Sequence, residues 1–269
     1  MVACPPRPLS ELPAKRLAAV CGVMTDIDDT LTRGGAIEPA ALHALHTLHE
    51  AGVPVLAITG RPLGWSLPFA HAWPVRAIVA ENGAVALVRG VDGEIRTEFA
   101  QDAGTRAANA RRLQAVAQQV LGEVPGARLA QDSAGRVTDI AIDHSEFTHL
   151  PAKAVAEVVA LMQAAGMQAT VSSIHINGWF GNHTKWSAAQ WMLQRLFGRE
   201  LAPEIDRWVY VGDSTNDQLM FGRFPLSVGV ANLRDFAAQL QVWPAYITQA
   251  ERGAGFAELA QAVLAAKPT

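Results

Sequence analysis

Two short apolar runs in this chain each end in a burst of acid. Val20-Cys21-Gly22-Val23-Met24-Thr25 delivers Asp26-Ile27-Asp28-Asp29-Thr30-Leu31, and Trp208-Val209-Tyr210-Val211 delivers Gly212-Asp213-Ser214-Thr215-Asn216-Asp217. Runs of this kind read as buried strands. Carboxylates gathered at the ends of two buried strands repel one another unless a cation lies between them. The pattern therefore implies a site for a hard divalent ion, Mg²⁺ in the first instance. A calcium loop opening at Asp26 fits poorly. An EF-hand requires glycine at its sixth position and glutamate at its twelfth, where this chain has Leu31 and Ile37.

Between and around these runs, apolar strands alternate with amphipathic stretches. Val20 to Thr25 and Val53 to Ile58 read as strands, with a helix from Pro39 to Ala51 between them, closed by Gly52. A helix over Gly64 to Ala72, a short strand over Ala77 to Ala80 and a hairpin around Asp92-Gly93 follow. This alternation predicts an α/β fold with right-handed crossovers and a parallel sheet, in which reactive groups gather at the carboxyl ends of strands. The pattern then changes. A long helix over Thr105 to Val124, strand-like segments at Arg128 to Ala130 and Val137 to Asp143, a helix over Ala152 to Ala165 and a strand-like stretch over Met167 to Ile176 form a compact α+β unit. After it the first pattern resumes, with a helix over Thr184 to Phe197, strands at Trp208 to Val211, Leu226 to Val230 and Ala245 to Thr248, and helices over Asp235 to Gln241 and Ala257 to Ala266. The reading is a Rossmann-like core, residues 1–97 and 181–269, interrupted by an inserted cap, residues 98–180.

With half of its 269 residues apolar and 17% charged, the chain is expected to build a substantial core. Its net charge of −3 argues against broad nucleic-acid or membrane-surface binding. Cys4 and Cys21 form no disulfide framework and lack metal-ligand spacing. No segment reads as a leader or a membrane span, so a cytoplasmic monomer or small homo-oligomer is the expectation. His43, His46 and His49 recur beside Leu42, Leu45 and Leu48. The leucines are expected to face the core and the histidines a wetter flank, without forming a zinc site.

Taken together, the motifs resemble those of the haloacid dehalogenase-like hydrolase superfamily. Asp26-x-Asp28-x-Thr30-Leu31 is similar to its first motif, Thr59 to its second, Lys185 to its third and Gly212-Asp213-x-x-Asn216-Asp217 to its fourth. Thr59-Gly60-Arg61-Pro62 and Glu81-Asn82-Gly83-Ala84 resemble the Cof-like, class IIB branch, which includes sucrose-phosphate, trehalose-phosphate and mannosyl-phosphoglycerate phosphatases and carries an α/β cap in the interval of the inserted unit. The family usually places glycine after the lysine, where this chain has Trp186.

The resemblance implies a Mg²⁺-dependent phosphatase acting on a small phosphorylated metabolite, a sugar phosphate by analogy, through an aspartyl-phosphate. Asp26 would be the nucleophile and Asp28 the acid and base, with Asp26 pulled down in pKa by the metal and Asp28 held up. Asp26, Asp213, Asp217 and the backbone carbonyl of Asp28 would form the metal site. Thr59, Gly60, Lys185 and Asn216 would bind the phosphate. Arg61 either touches substrate or braces its loop, and Asn82 reaches toward substrate while Glu81 fixes the turn. In the cap, Ser173, His175 and Asn177 share one face of a strand if Ser172 to Asn177 is extended, and with Arg136 they either line the cleft or face solvent. Trp65 and Trp179 either stack a sugar ring or pack a hinge or a core. Two alternatives stay open: a phosphomutase or phosphotransferase using the same aspartyl-phosphate, and a non-catalytic ligand-binding protein on the same fold. A dehalogenase would need neither Asp28 as acid nor a metal.

Overall fold

The computed structural model describes residues 5–267; Cys4 lies outside them. The chain opens with β1 (Arg7–Pro8), α1 (Ala14–Ala18), β2 (Gly22–Thr25), a small hairpin of β3 (Thr32–Arg33) and β4 (Ala36–Ile37), α2 (Pro39–Glu50) and β5 (Val55–Ile58). It continues through α3 (Leu63–Ala72), β6 (Ala77–Ala80), β7 (Val85–Arg89) and β8 (Ile95–Phe99). Next come α4 (Ala103–Glu123), β9 (Arg128–Leu129), β10 (Asp139–Asp143), α5 (Ala152–Ala164), β11 (Gln168–Val171) and β12 (His175–Trp179). The last stretch holds α6 (Lys185–Phe197), β13 (Trp208–Gly212), α7 (Gln218–Arg223), β14 (Leu226–Gly229), β15 (Tyr246–Ile247) and α8 (Arg252–Ala265).

Nine strands form the main sheet in the order β1-β15-β14-β13-β2-β5-β6-β7-β8. Pairing is parallel from β1 to β6, and β7 and β8 join antiparallel at one edge. From β2 the chain moves outward one way through β5 and β6, and the other way through β13, β14 and β15. The order therefore reverses between β2 and β13, and the crevice at the carboxyl ends of those strands is where such sheets bind ligands. Both acidic bursts follow these two strands.

One apolar cluster lies under α2 and α8, with Leu45, Leu48, Phe256 and Leu259 against Val23, Val55 and Val209. A second covers the opposite face, where Met192, Leu193 and Phe221 pack on Met24, Leu56 and Tyr210. Strands covered on both faces explain the uninterrupted apolar runs. The inserted segment builds a four-stranded antiparallel sheet, β11-β12-β10-β9. Its own core is formed by Leu113 and Val120 of α4, Val158 and Met162 of α5, and Ile142 and Ile176 of the sheet.

Several local expectations need correction. The stretch from Met167 to Ile176 is two strands, because Ser172 to Ile174 turn back on themselves: the Ser172 hydroxyl accepts from the amides of Ile174 and His175. Ser173 thus shares no strand face with His175 and Asn177. The helix expected over Asp235 to Gln241 is instead a 3₁₀ segment, Ala231–Phe236, followed by turns. Arg7–Pro8 was not anticipated as a strand; it adds to the sheet edge beside β15. On α2, Leu45 and Leu48 are buried while His43, His46 and His49 are exposed. Among the described residues no helix is long and apolar enough to cross a membrane.

Candidate active site

Asp26, Asp213 and Thr59 each follow directly on a central strand, β2, β13 and β5 respectively. Lys185 is the first residue of α6, whose start is fixed by a reciprocal cap: Thr184 accepts from the Ser187 amide and Ser187 accepts from the Thr184 amide. This cap accommodates Trp186 where the resemblance expects glycine, and the indole packs edge-on against Phe224, with centroids 5.9 Å apart. The turn Glu81–Gly83 presses against this helix start. Gly83 has φ +114°, and a Cβ there would lie 2.5 Å from the Thr184 carbonyl oxygen. Only glycine relieves both constraints.

The side chains of Asp26, Asp213 and Asp217 each bring a carboxylate oxygen within 4.8 Å of the others, and all three are buried. A single lysine serves two of them: Lys185 Nζ lies 2.9 Å from Asp26 Oδ1 and 2.7 Å from Asp217 Oδ1. Asp217 is fully engaged, because Oδ1 also takes the Tyr210 hydroxyl and Oδ2 takes the amides of Asp213 and Ser214 at 3.0 and 3.2 Å. A Cβ at position 212 would lie 2.4 Å from that carboxylate, which accounts for Gly212. Asp213 is different. Its Oδ1 has only a long contact of 3.5 Å from the Thr30 hydroxyl, and its Oδ2, although buried, has no partner. Burial, with Asp217 and Asp26 beside it, pushes the Asp213 carboxyl well up. Burial also raises Asp26; Lys185 pulls it back and Asp217 and Asp28 push it up again, leaving it at about 7. Burial works against the charge of Lys185, but Asp217 and Asp26 outweigh it and raise its pKa. An orphaned carboxylate oxygen facing two more buried carboxylates, with one ammonium among them, is a donor set suited to a hard divalent cation.

Asp28 stands apart. Its carboxyl accepts from Arg61 Nε at 2.9 and 3.0 Å and is not one of the three clustered acids. Burial raises its pKa against the pull of Arg61. Arg61 does more than brace its own loop. It also reaches across to the inserted unit, with Nη1 3.1 Å from Asp132 and Nη2 2.8 Å from Glu146. Its other face lies over Trp65, 4.9 Å from the ring centroid.

Arg136 and Asn177 both come down on the loop after β5: Arg136 Nη1 and the Asn177 amide donate to the Gly60 carbonyl at 3.0 and 3.3 Å. Asp139 holds both donors from behind. His175 lies with Asp26, Asp28, Gly60 and Asn216 around a space of 10 Å³ and bonds to Glu146 at 2.8 Å. The Thr59 hydroxyl accepts from the Arg61 amide at 3.0 Å. Asn82 has φ +55° and a buried side-chain nitrogen without a partner; its side chain would meet a Cβ added at Gly60. The Asn216 amide oxygen accepts from the Ser214 hydroxyl. Glu81 ties the two units together by accepting from the Leu63 amide on one side and the Val137 and Thr138 amides on the other. Trp65 packs on the core, and Trp179 is buried against His183 at 5.6 Å between centroids, so both tryptophans take the packing alternative.

The sequence reading missed four groups: Tyr210, Asp132, Glu146 and Thr215. The Thr215 hydroxyl donates to the Val171 carbonyl of the inserted unit at 2.6 Å. Only Tyr210 carried a signal, as a polar tip inside a buried strand that must find a partner.

Residues 23–102 match the family profile described as haloacid dehalogenase-like hydrolase. No curated protein sequence matches the chain. Among solved structures, a Thermoplasma acidophilum protein superposes with a TM-score of 0.68 at 16% identity, covering 91% of this chain and 98% of that one. The sucrose-phosphatase of Synechocystis, solved with sucrose and phosphate, gives 0.64 at 15% identity over 90% and 97%. The C-terminal domain of the Candida albicans trehalose-6-phosphate phosphatase gives 0.69 at 11% identity over 99% of each chain. At such identities the structural likeness speaks for the fold alone. The matched segment carries Asp26, Asp28 and Thr59, and the fold shared with these structures extends over nearly the whole chain.

Proposed function

We propose that the protein is a Mg²⁺-dependent phosphatase that hydrolyses a small phosphorylated metabolite through an aspartyl-phosphate on Asp26. The observation that carries this reading is a cluster of three buried carboxylates whose one lysine pairs with Asp26 and Asp217 and leaves Asp213 Oδ2 unpartnered. Asp26 and Asp213 retain capacity for a metal that Asp217, saturated by four donors, does not. Mg²⁺, when bound by Asp26 and Asp213, would neutralise the phosphoryl oxygens and the nucleophile together.

The chain's own residues supply the rest. Asp26 Oδ attacks phosphorus, the bond to the ester oxygen breaks, and Asp28 protonates the departing alcohol. Asp28 then takes a proton from the water that cleaves the acyl phosphate, which returns both carboxyls to their starting state. Lys185 holds Asp26 in place and offers its charge to the phosphoryl group, while Thr59 and the Gly60 amide face the equatorial oxygens. Residues 98–180 act as the cap. Gly60 is the contact through which Arg136 and Asn177 report cap closure to the phosphate loop, and closure excludes bulk water.

The test is phosphate release from a panel of phosphomonoesters with Mg²⁺ and with chelator. Asp26→Asn is expected to abolish release while the protein still unfolds cooperatively. Near-normal turnover by that variant removes Asp26 as nucleophile, and equal activity with chelator removes the metal.

A further inference from the structure

The space beside Asp26 is only 10 Å³, about enough for one water, so an alcohol leaving from Asp26 must have another place to lie. A second cavity, of 200 Å³, adjoins it. Asp28, Arg61 and Ile174 line both, so the group that would protonate the leaving oxygen stands at the doorway between them. The larger chamber is completed by Asp29, Ser145 and Glu146 among others.

Its charges are unbalanced. Asp28, Asp29 and Glu146 face it against one cation, Arg61. That guanidinium's single charge is already outweighed by Asp28, Asp132 and Glu146, so it has no net charge to offer a second anion on the substrate. Asp29 is taken by Arg252 at 2.8 Å. Glu146 is held by Arg61 and His175, yet a carboxylate has about four acceptor positions, so it can still receive a hydroxyl.

Glu146 is also presented firmly. Asp143, buried at the end of β10, accepts from the amides of Ser145, Glu146, Phe147 and Thr148 at 2.9 to 3.2 Å. His144 Nε2 bonds to the Ser172 carbonyl at 3.0 Å, which joins this loop to the turn that carries Ile174.

We infer that Glu146 is the specificity-determining residue of the leaving-group chamber, and that it selects against a leaving group that carries a second phosphate or a carboxylate. This rests on the phosphatase reading. The inference is independent of the sugar-phosphate analogy, because it follows from the charges around the cavity: acceptors there reward hydroxyl donors, and a substrate carboxylate would meet carboxylates with no free cation.

Glucitol 6-phosphate and 6-phosphogluconate are both open chains with the same phosphoester and differ at the far end by a carboxylate in place of a hydroxymethyl group. Phosphate release from each is measured for the wild-type protein, Glu146→Gln and Glu146→Asp, with p-nitrophenyl phosphate as a reporter of the chemical step. The wild type is expected to favour glucitol 6-phosphate in kcat/KM. In Glu146→Gln that preference falls by roughly tenfold, as expected for loss of one charge-assisted hydrogen bond and one repulsion, and the change appears in KM. Glu146→Asp, which keeps the charge, recovers part of it. Each preference is a ratio within one variant, so partial misfolding cancels. A wild type that prefers 6-phosphogluconate, or a ratio unmoved by Glu146→Gln, overturns the inference. Absence of turnover of every ester, p-nitrophenyl phosphate included, instead overturns the phosphatase reading beneath it.

Discussion

Replacing Lys185 by methionine removes the one cation that touches both Asp26 and Asp217. The ammonium is 3% exposed and the two carboxylates 4% and 0%, so neither acid can turn to water for compensation. Breaking a buried pair by deleting one partner costs about 3–5 kcal/mol, because it strands an uncompensated charge. Here two charges are stranded, with Asp213 close by, which places the expectation at the upper end. One relief lowers it: the Asp26 carboxyl already titrates at about 7, so at neutral pH it takes up a proton at little cost. A loss of about 3–4 kcal/mol is therefore expected from urea unfolding in chelator. Saturating Mg²⁺ should return stability to the variant at least as well as to the wild type, since binding at a hundred times Kd contributes about 2.7 kcal/mol and the variant site is more negative. Phosphate release should still fall by roughly 10²–10³, because the charge aimed at the transferring group is gone. A stability loss under about 1 kcal/mol, or a variant indifferent to Mg²⁺, would mean that Lys185 does not compensate these acids and that they do not form an ion site.

Two further changes probe the supports around the site. Burial alone lowers the His183 pKa from 6.5 to about 4, and neither ring nitrogen has a partner. The unfolded chain therefore takes the proton first: stability is full above about 6.5 and declines by roughly 3 kcal/mol as pH falls toward 4. His183→Phe should flatten that slope in urea titrations across the range, and an unchanged slope would rule His183 out as its source. Gly83→Ala should destabilise by more than about 1 kcal/mol, because φ is +114° and the contact is with backbone that cannot step aside; equilibrium unfolding indistinguishable from wild type would refute the close approach.

The core half of the site was legible because its residues sit where short-range pattern and topology agree. Asp26, Thr59 and Asp213 each end an apolar strand, and a strand end in a parallel sheet has only one place to point. Lys185 was legible through resemblance alone; no periodicity distinguishes it from a surface lysine, yet it is among the most buried charges in the chain. Asp28 shows the limit of spacing. Spacing two residues from Asp26 does not separate their roles; the resemblance does, and the Asp28 side chain leaves the acidic cluster for Arg61.

The inserted unit was legible as helices on a sheet and illegible as a surface. Its strand pattern was misread at Ser172 to Ile174, where a serine accepting local amides competes with the extended backbone. Glu146 and Asp132 lie in loops, where a lone acid is ordinarily solvated, and nothing near them in sequence marks them. Their meaning comes from Arg61, 71 and 85 residues away, which neutralises both while holding Asp28. An arginine shared in this way leaves the space between Asp28 and Glu146 with more negative charge than positive. An alcohol bound there meets in Glu146 an acceptor with positions left beyond those that Arg61 and His175 take, and hydroxyl donors fill them without adding charge. The ion pairs among these residues set the polarity that favours an occupant of the chamber, and residues that are scattered in sequence acquire that meaning only where the inserted unit meets the core.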